Sequence, residues 1–319
     1  MTLQCIVLDD YQHAALRYAD WRALEGQVAV SVLSEHIEDE DALAARLGQA
    51  AIVVIMRERT PFPASLLRRL PNLRLLITSG LRNASIDLQA AQACGVTVCG
   101  TGSASEPPAE LSWALMLALA RQIGPENAAL RADGPWQSTV GTDLHGATLG
   151  LLGLGKIGTR MARIGQAFGM QVLAWSPNLD QAKATQAGAT LAPSRDALLE
   201  ASDFVSIHLV LGERSRGLIG APELARMRPG AFLINTSRAA IVDQQALICA
   251  LEQGTIAGAG LDVFDLEPLP AGHPFRRLPN VLATPHLGYV SQRNYTTYFS
   301  EAVADIAAWL AGAPVRTLT

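Results

Sequence analysis

A strand, a glycine-rich turn and a helix follow one another without a break near the middle of the chain. The apolar run Thr148–Leu152 leads into the sequence G-L-G-K-I-G, and an amphipathic stretch beginning T-R-M-A-R comes next. In this context the glycines indicate a dinucleotide site: the first permits a tight turn, the second lets the backbone approach a pyrophosphate, and the third allows close helix–strand packing. Free N–H groups at the helix N-terminus would bind the phosphates. The predicted cofactor-binding residues of this loop are Gly153, Gly155, Lys156, Ile157 and Gly158.

Short apolar runs alternate with amphipathic stretches along most of the chain. In its first third the predicted strands are Cys5–Leu8, Val28–Leu33, Ala51–Met56, Leu73–Ile77 and Val96–Val98. This alternation indicates parallel sheets with helices on both faces. The chain has 319 residues, enough for about two domains. We therefore predict an α/β protein of two domains, each a doubly wound, mostly parallel sheet.

A small, polar and proline-rich segment from 100 to 108 separates the two series of strands. A strongly apolar helix is predicted at Ala109–Gln122, with prolines just ahead of it, and an amphipathic helix is predicted at Ser291–Leu310. The second of these is too short to be a domain and is expected to pack on the first domain. The predicted domains are residues 1–104 plus 291–319, and a dinucleotide-binding domain of residues 105–290.

The composition argues against several classes of function. Apolar residues make up 49% and charged residues 17% of the chain, and the net charge is −4. With no basic footprint we expect no nucleic-acid partner, and with no apolar run long enough to cross a bilayer we expect no membrane association. The four cysteines lack the spacing of a metal site, so no metal is expected, and they fit a reducing cytoplasm.

Three apolar segments near the C-terminal end each finish with a reactive side chain. They are A-F-L-I-N-T-S-R, G-L-D-V-F-D-L-E-P and V-L-A-T-P-H-L-G, which carry Arg238, Glu267 and His286. Short apolar runs bounded by turn residues are typical of buried parallel strands, and ligands of open α/β sheets bind outside the carboxyl ends of such strands. The pattern therefore predicts an anion clamp, an acid and a proton carrier around one crevice, which suits reduction of a carbonyl in an acidic substrate.

These segments resemble the D-isomer-specific 2-hydroxyacid dehydrogenase family, which includes relatives of phosphoglycerate dehydrogenase and glyoxylate/hydroxypyruvate reductase. The matching motifs are L-G-L-L-G-L-G-K-I-G, M-R-P-G-A-F-L-I-N-T-S-R-A, G-A-G-L-D-V-F-D-L-E-P-L-P and L-P-N-V-L-A-T-P-H-L-G. The resemblance covers nearly the whole chain. It implies a flavodoxin-like substrate domain, a Rossmann nucleotide-binding domain, NAD or NADP as cofactor and a small 2-oxo acid as substrate. It also implies a homodimer, for which Ala109–Gln122 is a candidate contact.

The resemblance assigns the catalytic roles to Arg238, Glu267 and His286, and their chemistry supports the assignment. The planar guanidinium of Arg238 could grip the carboxylate and the ketone of a 2-oxo acid together. Charged His286 could give a proton to the carbonyl oxygen as hydride arrives from the nicotinamide. Glu267 would favour the imidazolium form and fix the orientation of the ring.

The resemblance adds further cofactor-binding residues, namely Ser176, His208, Thr236 and Asp262. Ser176 stands at the end of the predicted strand Gln171–Trp175, where an acidic residue would bind the ribose hydroxyls of NAD. Serine does not repel a 2′-phosphate, and Lys183 and Arg195 could reach that phosphate only if the fold brings them in. The preference for NAD or NADP stays open.

The expected substrate contacts in the first domain are Arg57 and the turn of Ser79, Gly80 and Leu81. The family commonly has a second glycine where this chain has Arg82, and an Asp-Asn pair where it has Ala84 and Ser85. These departures leave the geometry of the turn and of the substrate pocket open.

Two other functions remain as alternatives. Formate dehydrogenases share the fold but place a glutamine where Glu267 stands. A non-catalytic dinucleotide-sensing protein would keep the glycine loop without turnover, and the intact trio argues against this alternative without excluding a binding role.

Overall fold

The computed structural model describes residues 2–318, and these form two compact units. The first unit runs to Ala104 and resumes at Val290, and the second runs from Ser105 to Tyr289. Each unit is built on one parallel sheet, so the predicted α/β class is confirmed.

The first unit contains a five-stranded parallel sheet in the order β2-β1-β3-β4-β5. Its strands are β1 (Leu3–Val7), β2 (Val28–Val32), β3 (Ile52–Ile55), β4 (Leu75–Thr78) and β5 (Thr97–Gly100). Its helices are α1 (Glu40–Leu47), α2 (Ala64–Leu67) and α3 (Leu88–Ala93), with a 3-10 turn at Trp21–Leu24. Strands β3 and β4 are buried along their whole length, as expected for the centre of a sheet covered on both faces.

The second unit contains a seven-stranded parallel sheet in the order β12-β11-β10-β9-β6-β7-β8. Its strands are β6 (Thr148–Leu152), β7 (Gln171–Trp175), β8 (Thr190–Leu191), β9 (Phe204–Ile207), β10 (Phe232–Asn235), β11 (Gly258–Leu261) and β12 (Val281–Ala283). In the register of the last three strands, Asn235 pairs with Leu261 and Leu261 pairs with Ala283. The carboxyl ends of β10, β11 and β12 therefore finish at one level of the same sheet edge.

Helices alternate with the strands of the second unit and cover its sheet. They are α4 (Glu106–Ala120), α5 (Ile123–Arg131), α6 (Lys156–Ala167), α7 (Gln181–Gln186), α8 (Arg195–Ala201), α9 (Ala221–Leu224) and α10 (Gln244–Glu252), with 3-10 turns at Ala239–Ile241 and Pro274–Arg276. The apolar helix predicted to begin at Ala109 in fact begins at Glu106. Both prolines lie in its first turn, where a missing N–H leaves no helical hydrogen bond unmade.

The C-terminal helix α11 (Gln292–Leu310) belongs to the first unit. The side chain of Ser291 caps it by accepting a hydrogen bond from the main-chain N–H of Asn294. Its Glu301 carboxylate accepts a hydrogen bond of 2.6 Å from the N–H of Gly102, and its Asn294 accepts one of 2.9 Å from the N–H of Ala104. The helix thereby holds the segment that leaves β5.

Separate apolar cores lie in the two units. In the first, Phe62, Leu66 and Leu76 are fully buried between the sheet and its helices, and in the second Leu233 and Ile241 are. Among residues 2–318, no helix is both long and apolar enough to span a membrane.

Candidate active site

The glycine loop sits between β6 and α6, as its sequence predicts. Gly153 has a φ of +102°, and a Cβ there would lie 2.5 Å from the carbonyl oxygen of His208, so only glycine fits. A Cβ at Gly158 would collide with the carbonyl oxygen of Gly153. The first and third glycines are thus required by the packing of the turn itself.

Gly155 differs from the other two glycines because nothing lies within 4 Å of where its Cβ would be. It is the N-cap of α6, a helix of 12 residues whose first turn contains Lys156 and Ile157. A helix N-terminus that opens onto free space and lacks a side-chain cap is what a pyrophosphate needs. The residues present therefore fit a dinucleotide.

Lys183 and Arg195, the two cations considered for a 2′-phosphate beside Ser176, have partners of their own. Arg195 donates to the carbonyl oxygen of Leu218 at 3.0 Å and to Glu223 at 2.7 Å. Lys183 forms an exposed ion pair of 3.0 Å with Asp180. Arg195 and Lys183 are therefore both paired with residues of the protein itself.

His208 follows β9 and lies beside the glycine loop. Its Nε2 is 2.9 Å from the hydroxyl of Ser206, and burial lowers the pKa of the ring to about 4. The ring is therefore neutral at neutral pH and places an uncharged polar group beside the glycine loop.

Thr236, which follows β10, is held by helix α4. Its hydroxyl is 2.7 Å from that of Ser112, and Ser112 donates to the carbonyl oxygen of Pro108 at 2.8 Å. Since Ser112 has one hydroxyl proton, Thr236 is the donor between them. The Ser112 side chain is fully buried, so this contact fixes Thr236 to the body of the unit.

The three predicted catalytic residues lie just beyond the aligned ends of β10, β11 and β12. Arg238 follows β10, and its main-chain oxygen accepts a hydrogen bond of 3.0 Å from the amide of Asn235. Glu267 accepts one of 2.9 Å from the N–H of Phe264 through Oε1. Its Oε2 is 2.6 Å from Nδ1 of His286. The structure thus pairs Glu267 directly with His286.

This pairing fixes the tautomer of His286. A proton on Nδ1 is donated to Glu267, so Nε2 is the nitrogen left to exchange a proton with a substrate. The ring of Tyr289 meets the imidazole edge-on, with centroids 5.3 Å apart. The geometry is that of a general acid with a carboxylate behind it.

The backbone of His286 is as notable as its side chain, because its φ is +53°. A non-glycine residue in this left-handed region costs about 1–2 kcal/mol. The turn is held by Asp262, whose Oδ1 accepts hydrogen bonds from the hydroxyl of Thr284 at 2.6 Å and the N–H of Leu287 at 2.7 Å. Its Oδ2 accepts one of 2.8 Å from the N–H of Gly288. Asp262 is fully buried, and burial raises the pKa of its carboxyl group.

The predicted substrate residues of the first unit also form one cluster. The N–H of Arg57 donates to the hydroxyl of Ser79 at 3.0 Å. Gly80 has a φ of +90°, and a Cβ there would collide with the guanidinium of Arg57. Leu81 stands next in the turn with its side chain 55% exposed. Arg57 therefore lies directly over the glycine turn.

The departures at Arg82, Ala84 and Ser85 do not open this turn. The amide of Asn83 donates to the main-chain oxygen of Arg57 at 2.6 Å and to the hydroxyl of Thr78 at 2.9 Å. Its Oδ1 accepts from the N–H of Ser85 at 2.9 Å. Asn83 and Ser85 thus close the turn from within, while Arg82 is exposed.

Comparisons with known proteins decide the family. The model of the D-isomer specific 2-hydroxyacid dehydrogenase NAD-binding domain matches residues 113–288. The chain belongs to the D-isomer-specific 2-hydroxyacid dehydrogenase family. The glyoxylate reductase of Korarchaeum cryptofilum is 35% identical over 88% of this chain and 82% of its own length. The hydroxypyruvate reductase of Thermotoga maritima is 35% identical over 81% and 84%.

A solved structure of the same family agrees along almost the whole chain. The phosphoglycerate oxidoreductase of Vibrio cholerae superposes with a TM-score of 0.93, at 35% identity, over 98% of this chain and 100% of its own. As a member of this oxidoreductase family, the chain has an NAD(P)-binding Rossmann domain, and the predicted fold and cofactor class are confirmed.

Several contacts around the candidate site were not recognised from the sequence. Ser112 contacts Thr236, which is distant in the sequence. Asn83 holds a local turn and also contacts Arg57. No sequence motif marks either residue. For Asp262 the signal was available, because an aspartate directly after a buried strand is well placed to accept hydrogen bonds from neighbouring loops. Besides its predicted contact with the cofactor, Asp262 accepts three hydrogen bonds that hold the turn of His286.

Proposed function

We propose that this chain catalyses the interconversion of a small 2-oxo acid and a D-2-hydroxy acid with NAD or NADP. The observation that carries the proposal is the 2.6 Å contact between His286 Nδ1 and Glu267 Oε2. Glu267 and His286 follow β11 and β12, and Arg238 follows β10, whose carboxyl end lies level with theirs in the same sheet. A carboxylate, an imidazole and a guanidinium in this arrangement can bind an acidic substrate and protonate its carbonyl oxygen.

In the proposed mechanism the bound nicotinamide supplies the hydride. Arg238 binds the substrate carboxylate and polarises the carbonyl, and its main-chain oxygen is fixed by Asn235. His286 gives its Nε2 proton to the carbonyl oxygen, which becomes the hydroxyl group, and it regains a proton from solvent. Glu267 holds Nδ1–H and balances the charge of the imidazolium form. Oxidation of the hydroxy acid reverses each of these transfers.

The cofactor side of the proposal includes Gly153, Gly155 and Gly158 for the pyrophosphate. Lys156 and Ile157 offer N–H groups in the first turn of α6, and Ser176, His208, Thr236 and Asp262 line or support the groove. The preference between NAD and NADP is decided by the assay described below.

For the first unit we propose that Arg57 and the turn of Ser79, Gly80 and Leu81 contact the substrate. A guanidinium lying on a glycine turn concentrates hydrogen-bond donors at one spot, which suits a carboxylate. The named relatives act on glyoxylate and hydroxypyruvate according to their names, and we propose 2-oxo acids of this size as the substrate class.

We further propose that the chain forms a homodimer. The expected contact helix α4 is largely buried within its own unit, whereas four large apolar side chains just after it are exposed: Ile123, Leu130, Trp136 and Val140. This segment is therefore the better candidate for the contact with a second copy, and sedimentation velocity of the wild type and of Trp136→Ser tests it.

All four cysteines are unpaired thiols, which supports our proposal of a cytoplasmic location.

The test of the function is a panel of 2-oxo acids, including glyoxylate, hydroxypyruvate and pyruvate, assayed with NADH and NADPH. We expect turnover of at least one substrate and loss of most of it in Arg238→Ala, with dinucleotide binding retained. The exposed histidine His145 provides a control, since His145→Asn should leave turnover unchanged while His286→Asn abolishes it. Tight dinucleotide binding without turnover of any 2-oxo acid would instead favour a sensing role. Oxidation of formate with NAD⁺ or NADP⁺, without turnover of any 2-oxo acid, would favour formate dehydrogenase.

A further inference from the structure

Asp9 occupies an unusual position at the end of β1. Its φ is +56°, in the left-handed region, and its side chain is almost completely buried. Aspartate visits this region more readily than most residues, but the conformation still costs free energy compared with glycine. Its contacts must therefore offset both this backbone cost and the burial of a carboxylate.

Those contacts converge from two other segments of the first unit. Asp9 Oδ2 accepts a hydrogen bond of 2.6 Å from the hydroxyl of Thr60, and Oδ1 is 2.9 Å from Nδ1 of His36. The main-chain oxygen of Asp9 accepts one of 2.6 Å from Nη1 of Arg59. The hydrogen bond to Asp9 raises the pKa of His36, as a negatively charged partner should. Asp9 thus binds Arg59 and Thr60, which follow β3.

The place in the sheet gives these contacts their importance. In the order β2-β1-β3-β4-β5, the chain leaves β1 on one side for β2 and returns on the other side at β3. A crevice opens beyond the carboxyl ends of strands at such a switch point, and ligands commonly bind there. Here Asp9, Arg59 and Thr60 fill that position with contacts of their own.

The turn that Asp9 holds is the one that carries Arg57. Arg57 itself has a φ of +54°, and the turn closes with a hydrogen bond of 3.2 Å from the N–H of Arg59 to the oxygen of Met56. Ser79 and Asn83 hold Arg57 from the side of β4. Asp9 holds the other end of the same turn from the side of β1.

We propose that Asp9 is a positioning residue for the reduction of 2-oxo acids, because it keeps the Arg57–Thr60 turn in the conformation that lays the Arg57 guanidinium over Gly80. This inference rests on the proposed substrate contact of Arg57. It assigns Asp9 an effect on substrate binding, whereas a carboxylate that only supports the fold would change stability alone.

The main variant is Asp9→Asn, which keeps the size of the side chain but leaves either Thr60 or His36 without its acceptor. We expect KM for the 2-oxo acid to rise about tenfold, since a hydrogen bond to a charged group is worth roughly that factor or more, while kcat changes less than about twofold. Thr60→Val removes only one donor and should raise KM about threefold to fivefold.

The matched control is Asp10→Asn. Asp10 is also buried, but its carboxylate accepts hydrogen bonds from the N–H groups of Ala14 and Ala15 and not from the 57–60 turn. Asp10→Asn should lower the melting temperature without changing KM. Hydrogen exchange of amides in residues 56–60 should become faster in Asp9→Asn and stay unchanged in Asp10→Asn.

A double-mutant cycle separates this inference from the function on which it rests. In an Arg57→Ala background, which itself raises KM, Asp9→Asn should raise KM by less than about twofold more, because the two residues act through one turn. A rise in KM for Arg57→Ala with an unchanged KM in Asp9→Asn would overturn the inference alone. An unchanged KM in Arg57→Ala would overturn the substrate role of Arg57, and the positioning role would fall with it.

Discussion

Each unit places one proposed site residue in the left-handed backbone region, and a buried aspartate holds the turn that carries it. In the first unit Asp9 holds the turn of Arg57, and in the second Asp262 holds the turn of His286. The donors differ: two of the three donors to Asp262 are main-chain N–H groups, whereas Asp9 receives its carboxylate hydrogen bonds from side chains. Main-chain donors survive any substitution other than proline. The His286 turn therefore depends on the side chain of Asp262 with one further side-chain contact from Thr284, whereas every hydrogen bond to the Asp9 carboxylate comes from a side chain.

The largest effect is expected from Asp262→Asn. In one orientation the NH₂ group of the new amide would face the N–H of Gly288, donor against donor. In the other it would face the hydroxyl of Thr284 and the N–H of Leu287. Either way the His286 turn must shift. Because a displacement of about 1 Å at a reacting group can cost about 10²-fold in rate, we expect kcat to fall by about that factor. Steady-state kinetics with saturating cofactor measures it.

The comparison would break if Asp262→Asn kept kcat within threefold of the wild type. That result would mean that the turn holds its left-handed conformation without the carboxylate. The circular dichroism spectrum and the melting temperature of the variant show whether a loss of kcat reflects the turn or the whole unit.

A smaller effect is expected from Glu267→Gln, which tests the side chain of His286 and not its backbone. The amide can still accept from Phe264, but it no longer supplies a negative charge 2.6 Å from Nδ1. We expect reduction to slow by about tenfold, because the hydrogen bond from Nδ1–H to a charged acceptor is lost. Exposed Asp265, two residues earlier, gives the control Asp265→Asn, which should keep the wild-type rate.

Two threonines allow the same small change to be made in both units. Thr284 donates to Asp262 and Thr60 donates to Asp9, each at 2.6 Å. Thr284→Val leaves Leu287 as a donor to the same oxygen, so we expect kcat to fall only about twofold. Thr60→Val removes the donor to Asp9 Oδ2, so KM should rise about threefold to fivefold while kcat is kept. Equal effects of Thr284→Val and Thr60→Val on the same kinetic constant would contradict the different roles assigned to Asp262 and Asp9.

The features that depend only on residues close together in the sequence were the most predictable. The strand, glycine turn and helix from Thr148 onward follow from local spacing, and the trio followed from polar residues placed at the ends of apolar runs. Helix α4 was predicted to start at Ala109 because Pro107 and Pro108 were assigned to the proline-rich segment ahead of it, although the first helical turn accepts both prolines.

The anchoring aspartates could not be predicted in the same way. Asp9 meets His36 and Thr60 only because β2 and β3 flank β1 in the sheet, and that order is a property of the whole unit. Asp262 meets Leu287 and Gly288 because β11 and β12 are neighbours in register. The motif contains Asp262, but it does not show that the loop of Leu287 and Gly288 donates hydrogen bonds to it.

Another buried aspartate, Asp305 in α11, extends the comparison to a carboxyl group whose substitution should affect stability rather than turnover. It is fully buried and forms an ion pair of 2.8 Å with Arg316, yet neither of its oxygens accepts a well-directed hydrogen bond from a described residue. Burial raises the pKa of Asp305 from 3.8 to about 6. The folded state therefore favours the protonated carboxyl group, and stability should rise as the pH falls from about 6 toward about 4.

The size and sign of this effect can be tested with Asp305→Asn. Between pH 7 and pH 4 a rise of this size in pKa corresponds to about 2.5 kcal/mol, so the difference in unfolding free energy between wild type and Asp305→Asn should shift by about that amount in favour of the wild type. Asp41, whose side chain is 83% exposed beside Arg69, gives the control Asp41→Asn, for which the shift should be small. Urea unfolding, followed through peptides of the first unit by hydrogen exchange, measures both. A difference that stays constant with pH would mean that Arg316 keeps Asp305 ionised without the hydrogen bonds that Asp9 and Asp262 receive.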